Sequence, residues 1–551
     1  MSCVWTVMMK GKAFAAAQWA LAWGTAIVLI AAGCAEFRTD SRSPRHASVR
    51  YSTPPPAARP SEEITNTLRF AVSFPEKVRN SPVTGRVLLF LSQSGEREPR
   101  RANYFRLPAT YAVNVTNLLP NDLAVFLPAK FRAVDALAYP EAMDRLPAGT
   151  YYTQAVIDVD NTRANYNDGQ GNLYSGVVRC ELNGTRGGTI EMVTDRVVRE
   201  TPPLDTDWVK LVEIRSRLLS DFHGREVKLR AAIILPSSYH EKVGEKFPAV
   251  YVIPGFGGTH RMAWEWIQSP AGQKWQRGEV PLQMLRVVLD PEVPLGHSGF
   301  ANSANNGPVG DALVKELIPE IEKRFRCLPE ARARFVMGHS SGGWAALWLQ
   351  ISYSDLFGSC WSTAPDPVDF RAFQTVNIYE DRNGHWTREG LARPVARNRT
   401  SVALTIGQLD QWEHVTGWGG QLDSFNAVFS PRGTDGRPRR LMDKISGIID
   451  REVAEHWKRY DIRHVLQENW SALGPELAGK LHVIAADEDS YYLDGAVEFL
   501  RDFLKTTRFG GYVEVVPGDH RSFLTDEFRD RIDREIAEKF VEKSVKPAVG
   551  P

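Results

Sequence analysis

The chain of 551 residues is long enough for several domains, or for fewer if one is a large α/β unit. Its 67 basic and 66 acidic residues leave a formal charge of +1, and 43% apolar with 24% charged residues is the composition of an ordinary globular protein. That balance excludes a basic nucleic-acid binder, a disordered chain and a polytopic membrane protein, and five cysteines exclude a disulfide scaffold.

Residues 13–33 are almost uncharged and follow Lys10 and Lys12, the layout of a secretory signal. They end in Ala31-Ala32-Gly33-Cys34, which resembles the bacterial lipoprotein cleavage box except that Ala31 stands where Leu is usual. The resemblance implies a signal over 1–34, lipid attachment at Cys34 and a membrane-anchored, extracytoplasmic protein. A plain secretory signal or an uncleaved anchor is the alternative, since 21 residues just span a bilayer. Of the later cysteines, Cys180, Cys327 and Cys360, three cannot all pair, so no disulfide essential to the fold is expected.

Residues 35–62, with Pro54-Pro55-Pro56, are polar and lack hydrophobic periodicity, as a flexible tether would. Residues 63–204 carry short alternating runs (Leu68–Phe74, Arg86–Leu91, Leu123–Leu127, Tyr151–Val159). Turn signals such as Asn80-Ser81-Pro82, Asp168-Gly169 and Gly187-Gly188 separate them, and the pattern predicts a β-sandwich. From 205 to 545 the texture becomes β/α. Strands are expected at Val227–Leu235, Ala249–Ile253, Leu285–Leu289, Arg334–Met337, Leu481–Ala485 and Val513–Val516, with helices such as Asp311–Phe325 and Leu493–Leu504 between them. Strands this apolar belong in a mostly parallel sheet covered on both faces. Residues 365–475 are less regular, rich in Trp, Arg and Gly, and read as an insertion.

Gly338-His339-Ser340-Ser341-Gly342-Gly343 lies between the apolar run Arg334–Met337 and the small-residue run Trp344-Ala345-Ala346-Leu347. A serine there sits on a sharp strand-to-helix turn whose neighbours must be glycine, which presents its hydroxyl above the sheet edge. G-x-S-x-G alone is a weak signal; context and partners give it weight. A serine hydroxyl needs a base, and in the α/β-hydrolase order the acid and then the histidine follow it. Of twelve histidines only His520, in Pro517-Gly518-Asp519-His520, lies beyond the strand that ends at Ala485-Ala486. Asp489, a few residues past that strand end and just before Tyr491-Tyr492-Leu493, is the preferred acid, with Asp487 and Glu488 as alternatives. Two N–H donors for an oxyanion are expected from Ser341 and from the loop Pro254-Gly255-Phe256-Gly257-Gly258, where Phe256 is assigned and Gly257 is the alternative.

Together these motifs resemble the putative-esterase family, which groups esterase D, enterochelin esterase, mycolyltransferase, and feruloyl or acetylxylan esterase enzymes. The resemblance covers about residues 205–545. It implies an α/β-hydrolase fold and a serine carboxylesterase with Ser340, Asp489 and His520 as its triad. The expected substrate is a small-molecule or polysaccharide ester of carbohydrate, phenolic or siderophore type. Ala486 departs from the Gly that the family often has before its acid, and the insertion is longer than a minimal member needs.

No cofactor, metal or nucleic acid is expected. Gly474–Lys480 fits a P-loop until Leu481 replaces Ser/Thr, and it precedes a strand where a P-loop needs a helix. His456 and His464 lack a third ligand, and Gly255-Phe256-Gly257 has His260 where a dinucleotide fingerprint has its third glycine. Trp264, Trp266, Trp386, Trp412, Trp418, Trp457 and Trp470 are candidates for packing or for a sugar or phenol platform. Two other readings are a prolyl-oligopeptidase-like peptidase, which the lack of a propeller-length segment disfavours, and a glycan-binding lipoprotein with a vestigial hydrolase domain.

Overall fold

The computed structural model describes residues 68–101, 105–182 and 187–545. The signal, Cys34 and the Pro-rich tether lie outside them. The described residues fall in one compact unit.

The first part of that unit is β-rich. Leu68–Ser73 lies between Ala124–Phe126 and Gly188–Val193 in a three-stranded sheet, and Val83–Ser92 pairs antiparallel with Ala109–Leu118 and Gly149–Asp158 in a seven-stranded one. Val87, Leu89 and Leu91 share a core with Phe70, Val72 and Phe126, whereas Leu88 and Phe90, one position out of phase, belong with Ala112 and Val156 to the core of the second part. Side chains alternate between faces, so the unbroken run Val87–Leu91 records a strand buried on both sides.

The second part is built on an eight-stranded sheet: β1 Val209–Arg215, β2 Lys228–Ile234, β3 Ala249–Ile253, β4 Leu285–Leu289, β5 Arg334–His339, β6 Ser359–Thr363, β7 Leu481–Ala486 and β8 Tyr512–Val516. The order across the sheet is β1-β2-β4-β3-β5-β6-β7-β8; β2 runs antiparallel to both neighbours and the strands from β4 to β8 are mutually parallel. This is an α/β-hydrolase sheet. Strands β3 and β4 have the bounds read from sequence. β1 and β6 were not among the expected strands.

Four helices matter for the site. α1, Ser341–Ser352, follows β5 directly and is buried nearly throughout. α2, Ile406–Thr416, and α3, Gln421–Phe429, lie in the segment between β6 and β7, and α4, Asp494–Lys505, follows β7. α2 starts on a reciprocal cap in which Thr405 and Gln408 satisfy each other's exposed backbone N–H groups. At its other end, Arg86 of the β-rich part donates to the carbonyls of His414 and Val415 at 3.1 and 2.9 Å, a cation where the helix dipole is negative.

Candidate active site

The parallel strands place their carboxyl ends along one edge of the sheet, and the expected residues meet there. Ser340 sits between β5 and α1 with φ 59° and ψ −125°, a conformation non-glycine residues rarely adopt. The turn is enforced from both sides. A Cβ on Gly338 would lie 2.1 Å from the Gly342 carbonyl oxygen, and one on Gly342 would lie 2.0 Å from that of Ile253 in β3. The chain therefore packs turn against turn only because both positions are glycine.

His520 and Asp489 come from the loops after β8 and β7. The His520 Nδ1 stands 2.7 Å from Asp489 Oδ2, with His520 4% and Asp489 0% exposed. The second carboxylate oxygen of Asp489 accepts the Tyr491 N–H at 2.8 Å, and Arg397 Nε donates to the Asp489 carbonyl at 2.8 Å. Asp487 is used elsewhere: its Oδ1 accepts the Gly518 N–H at 3.0 Å and steadies the loop that carries His520. The His520 ring lies 4.5 Å from that of His339, the residue before Ser340. Burial and the neighbouring His520 hold His339 well below the usual imidazole range, so it is neutral.

The glycine-rich loop after β3 lies against the serine. A Cβ on Gly255 would stand 3.3 Å from that of Ser340 and 3.1 Å from the His339 carbonyl oxygen, so Phe256 and Gly257 follow a residue in contact with the turn. The Ser341 amide opens α1 and has no carbonyl four residues back within the helix to receive it. His297, in the segment after β4, fastens the loop. The Gly299 N–H donates to His297 Nδ1 at 3.0 Å, which leaves Nε2 to donate to the Pro254 carbonyl, also at 3.0 Å. Burial pushes His297 down to about 4, so this neutral tautomer persists at physiological pH. The His297 backbone N–H in turn donates to Ser424 Oγ on α3, at 3.1 Å.

One buried group was not anticipated. Asp366, three residues past β6, is 6% exposed and its carboxyl lies beside the serines: Oδ1 is 3.5 Å from Ser340 Oγ, while Oδ2 is 2.5 Å from Ser341 Oγ and 3.2 Å from Gln421 Nε2 on α3. Its N–H donates to the Ser340 carbonyl at 3.2 Å. Burial pushes its carboxyl up to about 6, against the favourable Ser341 and Gln421 hydrogen bonds and the nearby His520.

The tryptophans divide by environment. Trp412 and Trp457 are buried in the core, Trp418 lies under the Arg440 guanidinium at 4.4 Å, and Trp264 donates to the Leu204 carbonyl at 2.9 Å. Besides His339, the ring against His520 is that of Tyr491, edge-on at 4.8 Å. His456 meets the Phe429 carbonyl and His464 lies in the first turn of the next helix; among the described residues no three His, Cys, Asp or Glu side chains form a metal-binding group. Cys180, Cys327 and Cys360 are buried free thiols.

Several solved structures resemble the chain at low identity. A ferulic acid esterase is 17% identical, with 60% of this chain and 99% of that one covered and a TM-score of 0.38. An S-formylglutathione hydrolase from Agrobacterium tumefaciens is 15% identical, covering 61% and 98%, with a TM-score of 0.39. A ferulic acid esterase from Anaeromyces mucronatus is 15% identical, covering 62% and 94%, with a TM-score of 0.32. No curated protein sequence matches the chain. The model of the family described as "Putative esterase" matches residues 223–522, more than half of the chain and the span from β2 to His520, and the protein belongs to that family.

Proposed function

We propose that the protein is a serine carboxylic-ester hydrolase whose triad is Ser340, His520 and Asp489. The observation that carries the reading is the buried 2.7 Å contact between His520 Nδ1 and Asp489, on loops that converge on a serine held at positive φ. Asp489 accepts the Nδ1 hydrogen, which leaves Nε2 free to take the Ser340 proton as Oγ attacks the ester carbonyl. The tetrahedral oxyanion is received by the amide of Ser341 and by that of Phe256, with Gly257 as the alternative second donor. Collapse expels the alcohol, protonated by His520, and leaves an acyl group on Ser340; water activated by the same imidazole then releases the acid.

The esters proposed are those of carbohydrates, phenolic acids or siderophore-type compounds. The protein is proposed to meet them outside the cytoplasm, anchored through lipid on Cys34. Hydrolysis of p-nitrophenyl acetate, methyl ferulate and acetylated xylan by the protein and by its Ser340→Ala variant tests the chemistry. Turnover lost in the variant, with the acyl mass found on Ser340 of the wild type, is the expected result. Equal turnover by both proteins would refute it.

A further inference from the structure

The β-rich part is fastened to the loops around the catalytic serine at several separate points. Glu200 pairs with Arg261 at 3.1 Å, just past the glycine-rich loop, and Arg163 pairs with Glu292 at 2.6 Å, in the segment that leads to His297. The Leu204 carbonyl holds Trp264 Nε1, and Arg86 caps α2. A region that served only as a spacer would not need to grip the rim of the site this way.

One side chain of this part goes further. The Phe105 ring lies 5.9 Å from that of Tyr491, tilted by 46°, and Tyr491 is the ring that stands edge-on to His520. Tyr491 is itself fixed, because its N–H is held by Asp489 Oδ1. The described residues Arg100 and Leu107, on either side of Phe105 in sequence, are anchored. The Arg100 carbonyl accepts from the Tyr166 hydroxyl and the Asn167 amide, and Leu107 packs on the shared core. Yet the Phe105 ring stays 46% exposed. An aromatic ring held half in water, one ring away from the His520 imidazole, offers an apolar face to a substituent of a bound ester.

We infer that Phe105, from outside the hydrolase sheet, is a specificity-determining residue: with Tyr491 it forms an aromatic ledge that receives a ring of the substrate. The inference rests on the esterase reading above and assigns the β-rich part a share in the ester site. Ring-on-ring contact contributes roughly two- to tenfold in binding beyond area burial, so ring-bearing esters are favoured by about that factor.

The test compares kcat/KM for ethyl acetate, phenyl acetate and methyl cinnamate, which carry no ring, a ring on the alcohol and a ring on the acyl group. Wild type is set beside Phe105→Ala, Phe105→Leu, which keeps apolar volume without a ring, and Phe105→Tyr, which keeps the ring. The expected result is a roughly three- to tenfold fall in the ratio of one ring-bearing ester to ethyl acetate for Ala and Leu, carried by KM, with Tyr near wild type. Which ester responds tells whether the ledge faces the acyl or the alcohol side. Unchanged ratios, or an equal loss on all three esters, would overturn the inference while leaving the esterase reading intact. No turnover of any ester by the wild type would remove both. Unfolding midpoints of the four proteins separate a lost contact from a lost fold.

Discussion

Replacing Asp366 by Asn takes a charge out of the buried ground beside Ser340, and the consequence depends on pH in a defined sense. The native state holds this carboxyl at about 6, against about 3.9 in an unfolded chain, a difference that corresponds to about 3 kcal/mol. Below pH 4 both states are protonated and ionisation costs nothing. Between pH 4 and 6 the native state keeps the proton while the unfolded state releases it, so stability falls as pH rises, and above 6 the whole cost is present. Asparagine carries none of it. The stability of Asp366→Asn relative to wild type therefore grows by about 2 kcal/mol from pH 4 to pH 7, on top of any constant offset from the altered Ser341 and Gln421 hydrogen bonds. Urea unfolding of both proteins at the two pH values measures the change. A gap that is flat with pH, or that narrows as pH rises, would refute the assignment of a raised carboxyl. The same pair reports on catalysis. A carboxylate at the start of α1 opposes an oxyanion bound by the Ser341 amide and supports an imidazolium on His520, so the ratio of variant to wild-type kcat changes through pH 6, upward where the oxyanion effect is the larger and downward where the imidazolium effect is.

Ser340→Ala abolishes the acyl-enzyme and lowers kcat by about 10⁴-fold or more, read from p-nitrophenyl acetate turnover and intact mass. Asp489→Asn lowers kcat by about 10⁴-fold, whereas Asp487→Asn, which touches only the His520 loop, lowers it less than about tenfold; equal losses would reassign the acid. His297→Phe removes the donor to the Pro254 carbonyl and displaces an oxyanion amide, so kcat falls by about 10- to 100-fold with little change in KM; a loss confined to KM would count against that role. Cys34→Ser moves the protein from the membrane fraction to the soluble fraction, and retention in membranes would refute the lipid anchor.

What was legible in the sequence was what sterics and chain order impose on it. β3 is an apolar run and β4 is one but for Arg286, and both read to the residue. The turn at Ser340 read from its glycines because any Cβ at Gly338 or Gly342 collides with backbone, so the geometry leaves a mark on composition. His520 and Asp489 followed from their order after that turn. β6 did not read, because Ser359, Ser362 and Thr363 make it look polar. Its hydroxyls are satisfied locally: Ser362 Oγ donates to the Gly343 carbonyl at 2.9 Å and Thr363 Oγ1 to that of Gly338 at 3.0 Å. Once paired, such groups are buried at little cost, and a strand of this kind gives no hydrophobic pattern. With β6 unseen, Asp366 past its end had no place in the argument, and Phe105 is functional only through a tertiary contact 386 residues along the chain.

The two groups that escaped the sequence have opposite energetics. Phe105 leaves apolar surface in water, a cost that a substrate ring would relieve by covering it. Asp366 holds a charge in a desolvated place, and nothing about the fold requires it there: Ser341 and Gln421 would be satisfied by an amide. A carboxyl retained against a cost of about 3 kcal/mol calls for a return elsewhere, and its neighbours indicate where. It sits close enough to His520 to favour the imidazolium that forms when Ser340 gives up its proton, while it opposes the oxyanion at the Ser341 amide. The balance between those two effects decides whether Asp366→Asn speeds or slows acyl transfer at a given pH. Both effects appear with the same ionisation of Asp366, so the pH profile of the variant reports their net sign, and a step in the rate ratio near pH 6 identifies Asp366 as its source.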